Sequence, residues 1–193
     1  MLTIDGTLGY GQVLRTALAL SALTLKPIKV TNIRKQRAEP GLMAQHLAGV
    51  KTIGEFCNAE IKGAKIGSTE IEFAPKEHQT ENKHIDIGTA GSIPLLLQTL
   101  TPLLIFSKKP VSLEIIGGTA GLGSPTIEYV KYVTFGILSK MGIEPPEIEI
   151  KRQGFYPKGQ GVVQVKFAPA KKLNSIKLTS VGNIENIHGI SIA

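Results

Sequence analysis

The same order of sequence elements occurs twice in the chain, and this internal repeat limits the possible folds more than any other feature. One copy begins at Thr3 with TIDGTLGYGQVLRTALALSALTLKPIKVTNI and the other at His84 with HIDIGTAGSIPLLLQTLTPLLIFSKKPVSLEII. Both are typical of a strand, a glycine-rich loop, an apolar helix and a second strand. Each copy continues with a helix entered through proline and two β-like runs, and ends on Phe-Ala-Pro. We therefore predict two tandem βαβαββ units.

Each unit is long enough for a four-stranded sheet backed by two helices. The predicted fold class is α+β, with a first repeat over residues 1–80 and a second over residues 81–170. In the second repeat, Ser124 and Pro125 predict the start of a helix, and Gly142 predicts its end.

A change of pattern follows the second Phe-Ala-Pro. Residues 171–193 resemble a polar linker, a strand, a turn at Val181-Gly182-Asn183 and a strand that ends with the chain. An unpaired edge strand is an unusual place for a protein to stop. We expect this segment to be a linker and the start of a further domain, inside which the chain stops.

The composition favours a globular protein with an anionic partner. Of the 193 residues, 42% are hydrophobic, and the net charge is +7. A net positive charge of this size suits a polyanionic partner, although a basic surface that serves only solubility would give the same net charge. Aromatic residues make up 5% of the chain and there is no Trp, which argues against a broad base-stacking platform.

The single cysteine and the absence of a long apolar run indicate a cytoplasmic protein. Cys57 has no partner for an internal disulfide. The longest apolar run, 93–106, is interrupted by polar residues and prolines and is too short for a bilayer, and no signal peptide is present. We expect no membrane contact. Metal-ligand spacing and a Ser-His-Asp pattern are also missing from the sequence, so no metal ligand is predicted.

Both glycine loops lie between a strand and a helix, where free backbone N–H groups and the positive end of the helix can face an anion. Their spacing matches neither the dinucleotide fingerprint nor the P-loop, and each could be only a tight turn. Polar side chains on the apolar helices that follow favour a functional role. These are Gln12 and Arg15 in the first copy and Gln98 in the second.

Two further segments carry cations beside turns. In NIRKQRAEPGLMAQHL, Arg34 and Arg37 precede Gln45 and His46, and arginine forks bind phosphate. They could instead be solvated surface cations beside an ordinary helical histidine. In RQGFYPKGQGVVQV, Arg152 and Lys158 lie on a predicted hairpin that could enclose a phosphate or could be a flexible tip with incidental charge.

Taken together and in this order, these segments resemble the RNA 3'-terminal phosphate cyclases. The resemblance rests on IDG…GQVLRTALALSALT, NIRKQRAEPGLMAQHL, DIGTAGS…LLLQTL, SPTIEYV and GFYPKGQG. It implies repeated units like the C-terminal domain of translation initiation factor 3, with a smaller domain inserted before the last unit.

The resemblance also implies a ligase reaction. ATP adenylylates a histidine, AMP passes to an RNA 3'-phosphate, and the neighbouring 2'-hydroxyl attacks to give a 2',3'-cyclic phosphate, with Mg²⁺ or Mn²⁺ assisting. The implied partners are ATP and RNA 3' ends. By position, Gln98 would contact ATP, and the phosphate and RNA site would be lined by Gln12, Arg15, Arg34, Arg37, Gln45 and His46.

The sequence departs from the family pattern in the first loop. Where the family reads Gly-Glu-Gly-Gly-Gly-Gln, this chain has Gly9-Tyr10-Gly11-Gln12, without the glutamate associated with metal. The resemblance places the nucleophilic histidine beyond Ala193, so no catalytic residue is assigned here. Three functions stay open: a cyclase, a noncatalytic cyclase-like RNA-binding protein of ribosome assembly, and an enolpyruvyl transferase, which also repeats a βαβαββ unit.

Overall fold

A computed structural model describes residues 1–180 and 182–192, which form two four-stranded mixed sheets and four helices. The predicted α+β class is therefore confirmed. Both sheets belong to one continuous hydrophobic core.

The first unit is built around a sheet with the strand order β1-β2-β4-β3. β1 pairs with β2 in parallel, and the other pairs are antiparallel. The elements are β1 (Leu2–Asp5), α1 (Tyr10–Thr24), β2 (Ile28–Thr31), α2 (Ala44–Phe56), β3 (Glu60–Lys62) and β4 (Ile71–Ala74).

The second unit has the corresponding strand order, β5-β6-β8-β7, again with one parallel pair. That the two units are copies of one another, and that they divide at residue 80, stays a prediction. The elements are β5 (Lys83–Asp86), α3 (Ile93–Leu104), β6 (Val111–Gly117), a fourth helix, β7 (Glu147–Arg152) and β8 (Gly161–Phe167). The fourth helix consists of α-helical Ile127–Tyr129, π-helical Val130–Thr134 and α-helical Phe135–Lys140.

The sequence pattern explains why these elements form. In β6, Val111, Leu113 and Ile115 are buried and alternate with more exposed residues, as expected of a strand with one face on the core. The N-cap of α3 is Ser92, whose hydroxyl accepts a hydrogen bond from the Leu95 backbone N–H at 3.2 Å. Helix capping of this kind satisfies a backbone donor that would otherwise lack a partner.

The helices join the two units. α3 packs against both α1 and α2, which also contact each other. The largest buried side chains include Phe56 and Phe73 in the first unit and Phe135 and Phe167 in the second. The last two rings meet edge to face, with centroids 6.1 Å apart. This arrangement brings the starts of α1 and α2 close to the second unit.

The predicted start of the fourth helix is wrong by two residues. The N-cap is Thr126, whose hydroxyl accepts from the Tyr129 backbone N–H at 3.2 Å. Ser124 is instead used in a preceding turn, where its backbone N–H and hydroxyl both donate to the Gly121 carbonyl at 3.2 Å. The predicted helix end is right, since Gly142 follows the C-cap and has a φ of +85°.

The two strands expected after Pro169 do not form within residues 171–180 and 182–192. Backbone bonds hold the first part of this segment against the second unit: Ala170 N–H donates to Ile105 at 2.7 Å and Asn174 N–H to Met141 at 2.8 Å. The predicted turn begins at Val181, which lies outside the described residues. The assignment of 171–193 to an inserted domain stays a prediction.

None of the helices within residues 1–180 and 182–192 has both the length and the apolar character that a bilayer-spanning helix needs.

Gly154 lies where the ends of β6, β7 and β8 meet, and we expect Gly154→Ala to destabilise the fold. A Cβ atom there would lie 2.1 Å from the Gly161 nitrogen and 2.5 Å from the Gly117 oxygen, both backbone atoms. Overpacking of this kind should lower the free energy of unfolding by roughly 1–3 kcal/mol. Urea denaturation measures this loss.

The matched control is Gly136→Ala in the fourth helix, where the added Cβ meets nothing within 4 Å. Replacing a helical glycine should raise the free energy of unfolding by about 0.5–1 kcal/mol. Equal stability of the two variants would contradict the close approach at Gly154.

Candidate functional site

The starts of α1 and α2 and the segment after β2 border a cleft of about 330 Å³. Most of the predicted site residues line it, although they come from three separate stretches of the chain. They are Gln12, Arg15, Arg34, Arg37, Gln45 and His46. The convergence of the arginine segment with the first glycine loop is therefore observed.

The start of α1 borders the cleft and has no side-chain cap. Its N-cap, Gly9, has no side chain to bond the first backbone N–H groups, and no acidic residue lies in the first turn. This leaves the positive end of the helix open to an anion. On the next turn, Arg15 Nη2 donates to Gln12 Oε1 at 2.7 Å, and Gln12 Nε2 donates to Thr16 Oγ1 at 3.0 Å. These bonds fix the Arg15 guanidinium at the cleft.

Arg34 and Arg37 occupy the turn after β2. Arg34 has a φ of +53° and its Nη1 donates to the Gly41 carbonyl at 2.7 Å. The Arg37 guanidinium lies over the Tyr10 ring, 4.2 Å from its centroid. Each arginine is thus held by a contact with the site's own framework, Arg34 by a carbonyl and Arg37 by an aromatic ring.

The cleft concentrates positive charge. Within the described part of the chain, neither Arg15, Arg34 nor Arg37 forms a salt bridge with a carboxylate. Burial lowers the pKa of Arg15, and burial with the neighbouring Arg37 charge lowers the pKa of Arg34. Guanidinium groups nevertheless stay charged at neutral pH. An anion in the cleft would relieve their mutual repulsion.

His46 contributes a hydrogen-bond donor to the cleft rather than a charge. Only 7% of the residue is exposed. Burial, followed by the charges of Arg34 and Arg15, lowers its pKa to about 4. The Nδ1 atom accepts from the Met43 backbone N–H at 3.2 Å, which assigns the proton of the neutral ring to Nε2. A Cβ on Gly11 would lie 2.6 Å from Nε2, so glycine is needed opposite this nitrogen.

Gln45 connects the cleft to the second unit. Its Oε1 accepts a hydrogen bond from the Ser92 backbone N–H at 2.8 Å, at the start of α3. Leu95, one turn along α3, lines the cleft beside it. The second glycine loop itself does not line the cleft, so only the first loop faces the converging arginines.

Three of the predicted residues lie outside the cleft lining. Gln98 lies farther along α3 than Leu95, and its Oε1 is buried without a hydrogen-bond partner. Arg152 Nε donates to the Gln160 carbonyl at 2.7 Å inside the hairpin, and Lys158 is exposed. Their binding roles stay predictions.

The hairpin that carries these cations packs on the second glycine loop. A Cβ on Gly159 would lie 2.6 Å from the Ala90 Cα and 2.8 Å from the Thr89 oxygen. This close backbone approach explains why the hairpin is directed to the second loop rather than to the cleft.

Tyr10 and Gly123 line the cleft but were not predicted as site residues. Tyr10 stands in the left-handed region with a φ of +47°. An aromatic side chain within a glycine loop is the sequence signal that could have identified it. Gly123 comes from a distant turn, and the sequence alone gives no sign of its proximity.

The donor set of the cleft fits phosphate and does not fit a divalent cation. Among the described residues, no group of three or more His, Cys, Asp or Glu side chains could hold a metal ion. The cleft lining contains no carboxylate. The nearby Asp5 is occupied by Thr7 and Asn32, whose hydrogen bonds lower its pKa. The lining residues fit the oxygens of a phosphate group, and no metal-dependent step is assigned to them.

The fold and the cleft define an α+β protein in which three arginines and a helix start border one space. Sequence comparison gives the family. A family model described as RNA 3'-terminal phosphate cyclase matches residues 7–188, and the chain belongs to this family. The comparison favours it over the enolpyruvyl transferases.

Curated relatives named RNA 3'-terminal phosphate cyclase match nearly the whole chain. The protein from Pyrobaculum aerophilum is 44% identical over 98% of this chain and 55% of its own length. Those from Thermococcus sibiricus and Pyrococcus abyssi are 45% and 43% identical over 100% of this chain, covering 55% and 57% of their own lengths. The chain thus spans about half the length of the curated relatives it matches.

We expect the neutral state of His46 to make stability depend on pH. The unfolded chain takes up a proton at His46 near pH 6.5, whereas the folded chain does so only near pH 4. The free energy of unfolding is therefore highest above pH 6.5 and falls, by roughly 3 kcal/mol, as the pH is lowered from 6.5 to 4. Urea denaturation at a series of pH values measures this loss.

His46→Gln is the matched control, because glutamine does not titrate and can still accept from the Met43 N–H. Its stability should fall less over the same pH interval. A parallel fall in both proteins would show that His46 is not the group responsible.

Proposed function

We propose that this protein takes part in the ATP-dependent conversion of an RNA 3'-phosphate to a 2',3'-cyclic phosphate, and that its cleft binds the reacting phosphates. The observation that carries the proposal is the convergence of Arg15, Arg34 and Arg37 at the start of α1, where no carboxylate of the described residues forms a salt bridge with them. Membership of the cyclase family supports the same reaction. We also propose that the protein is cytoplasmic.

In the proposed complex, the arginine forks and the free N–H groups of α1 hold the terminal phosphate. The Nε2–H of His46 adds a neutral donor. Guanidinium groups bind phosphate oxygens in pairs, and a helix start adds oriented dipoles. The terminal nucleotide of an RNA is thereby fixed with its 3'-phosphate against Arg34 and Arg37.

The same groups would stabilise the transition state. When the 2'-hydroxyl attacks the activated 3'-phosphate, a 2'-oxygen–phosphorus bond forms, the bond to AMP breaks so that AMP leaves, and the hydroxyl proton passes to solvent. Negative charge develops on the phosphate oxygens during this step. Preorganised cations and N–H donors lower the energy of such charge because they need no reorganisation during the reaction.

We propose that the histidine that carries AMP is none of the four histidines of this chain. The Nδ1 of His46 is occupied by the Met43 N–H, and its Nε2 carries the proton. His78 bonds the Ala22 carbonyl at 2.9 Å, and His84 bonds Glu114 Oε1 at 3.0 Å. His188 lies in the segment after the second unit. The nucleophile is expected beyond Ala193, as the family resemblance implies.

A noncatalytic RNA-end-binding protein is the second candidate function. It is favoured by two observations: among the described residues, the lining of the cleft supplies no carboxylate for a metal ion, and the first loop lacks the glutamate of the family pattern. Both candidates require RNA binding, and they differ in the reaction with ATP.

We expect the protein to bind single-stranded RNA with a 3'-phosphate more tightly than the same RNA with a 3'-hydroxyl. Arg37→Gln should weaken binding of the phosphorylated RNA by about tenfold or more, because a charge-assisted hydrogen bond is lost. It should also make the salt dependence of binding shallower by about one unit of log–log slope. Fluorescence anisotropy at several salt concentrations measures both effects.

Lys140→Gln removes the same charge from the last turn of the fourth helix, outside the cleft lining, and should leave the preference for the 3'-phosphate unchanged. If Arg37→Gln and Lys140→Gln behave alike, or if both RNAs bind equally well to the unaltered protein, the cleft is not the phosphate site.

We expect the 193-residue chain to form no covalent adduct with AMP when incubated with labelled ATP and Mg²⁺ or Mn²⁺. The reason is that no histidine in it has the position of the family nucleophile. Denaturing electrophoresis followed by detection of the label makes the measurement. A labelled chain would refute this assignment of the histidines.

A further inference from the structure

Tyr10 is an aromatic side chain in a cleft whose other lining residues are mainly cationic, amide or glycine. The ring lies against the Arg37 guanidinium, 4.2 Å from centroid to Cζ, and both residues border the cleft that Arg15 and Arg34 also line. An aromatic ring is therefore held beside a set of phosphate-binding groups.

The ring has surface left for a ligand. Of the Tyr10 residue, 43% is exposed, although one side of the ring contacts Arg37. Stacking between an aromatic ring and a nucleobase needs only one accessible face and tolerates any base. A guanidinium on the opposite face adds a cation–π contact and limits motion of the ring.

The backbone at Tyr10 supports a functional reason for the side chain. With a φ of +47°, the position is one that glycine adopts without strain and tyrosine does not. Tyr10 is the first residue of α1 and directly follows Gly9, so its backbone lies at the junction between the loop and the helix. A contact made by the tyrosine ring, which glycine could not make, would account for an aromatic residue at this strained position.

We propose that Tyr10 stacks on the nucleobase of the nucleotide whose phosphate lies on Arg15, Arg34 and Arg37. This inference rests on the proposed function of the cleft and adds to it a subsite for the base. The base belongs either to the terminal nucleotide of the RNA or to ATP. A single ring provides one such contact, in agreement with the low aromatic content of the chain.

The experiment compares Tyr10→Gly and Tyr10→Phe with the unaltered protein. Glycine removes the ring and suits the positive φ, so the variant should fold, and circular dichroism with thermal unfolding checks this. Phenylalanine keeps the ring and removes only the hydroxyl. Titration calorimetry at one fixed salt concentration measures binding of inorganic phosphate, uridine 3'-phosphate and ATP to each protein.

We expect Tyr10→Gly to bind inorganic phosphate as the unaltered protein does, and to bind one of the two nucleotides about tenfold or more weakly. Tyr10→Phe should keep the affinity for that nucleotide. A loss confined to uridine 3'-phosphate assigns the subsite to the RNA end, and a loss confined to ATP assigns it to adenine.

Two results would overturn the stacking subsite. One is unchanged affinity of Tyr10→Gly for both nucleotides. The other is an equal loss for inorganic phosphate and nucleotides, which would show that the ring acts only by positioning Arg37. If the unaltered protein binds none of the three probes, the proposed function of the cleft is itself wrong, and the stacking subsite is refuted with it.

Discussion

The packing of α3 across α1 and α2 is the interaction on which the rest of the structure depends. It joins two sheets into one core and brings Ser92 and Leu95 to the start of α2 and the cleft. Without it, the three arginines would still lie on the first unit, but Gln45 would lose its partner at Ser92. The cleft is thus a product of tertiary packing, because no single segment contains enough of its groups to bind an anion.

The fold was predictable to the extent that it depends on periodicity. Alternating apolar residues predict β6, and the apolar run after the second glycine loop predicts α3. The start of the fourth helix was not predictable in the same way, since Ser124 is an equally good residue for a cap and for the turn that it forms. Such choices depend on neighbours that are distant in the sequence.

The site was predictable where chemistry and spacing coincide. Arg34 and Arg37 were identified as residue types that suit a phosphate, the family resemblance added His46, and the structure brings all three together. The neutrality of His46 was not predictable, because it results from burial and from two arginines of other segments. The position of Arg152 outside the cleft lining was not predictable either, because it depends on the contact between the hairpin and the second glycine loop.

The hydrogen bond between Gln45 and Ser92 has a consequence for the order of folding. It joins residues that are 47 positions apart and lie in different units. Contacts of such sequence separation require a large loop to close, and they form after local helices and hairpins. The first unit can acquire its arginines early, but the cleft acquires its shape only when the second unit docks. A ligand that recognises this shape therefore selects molecules that have finished folding and shifts the equilibrium towards them.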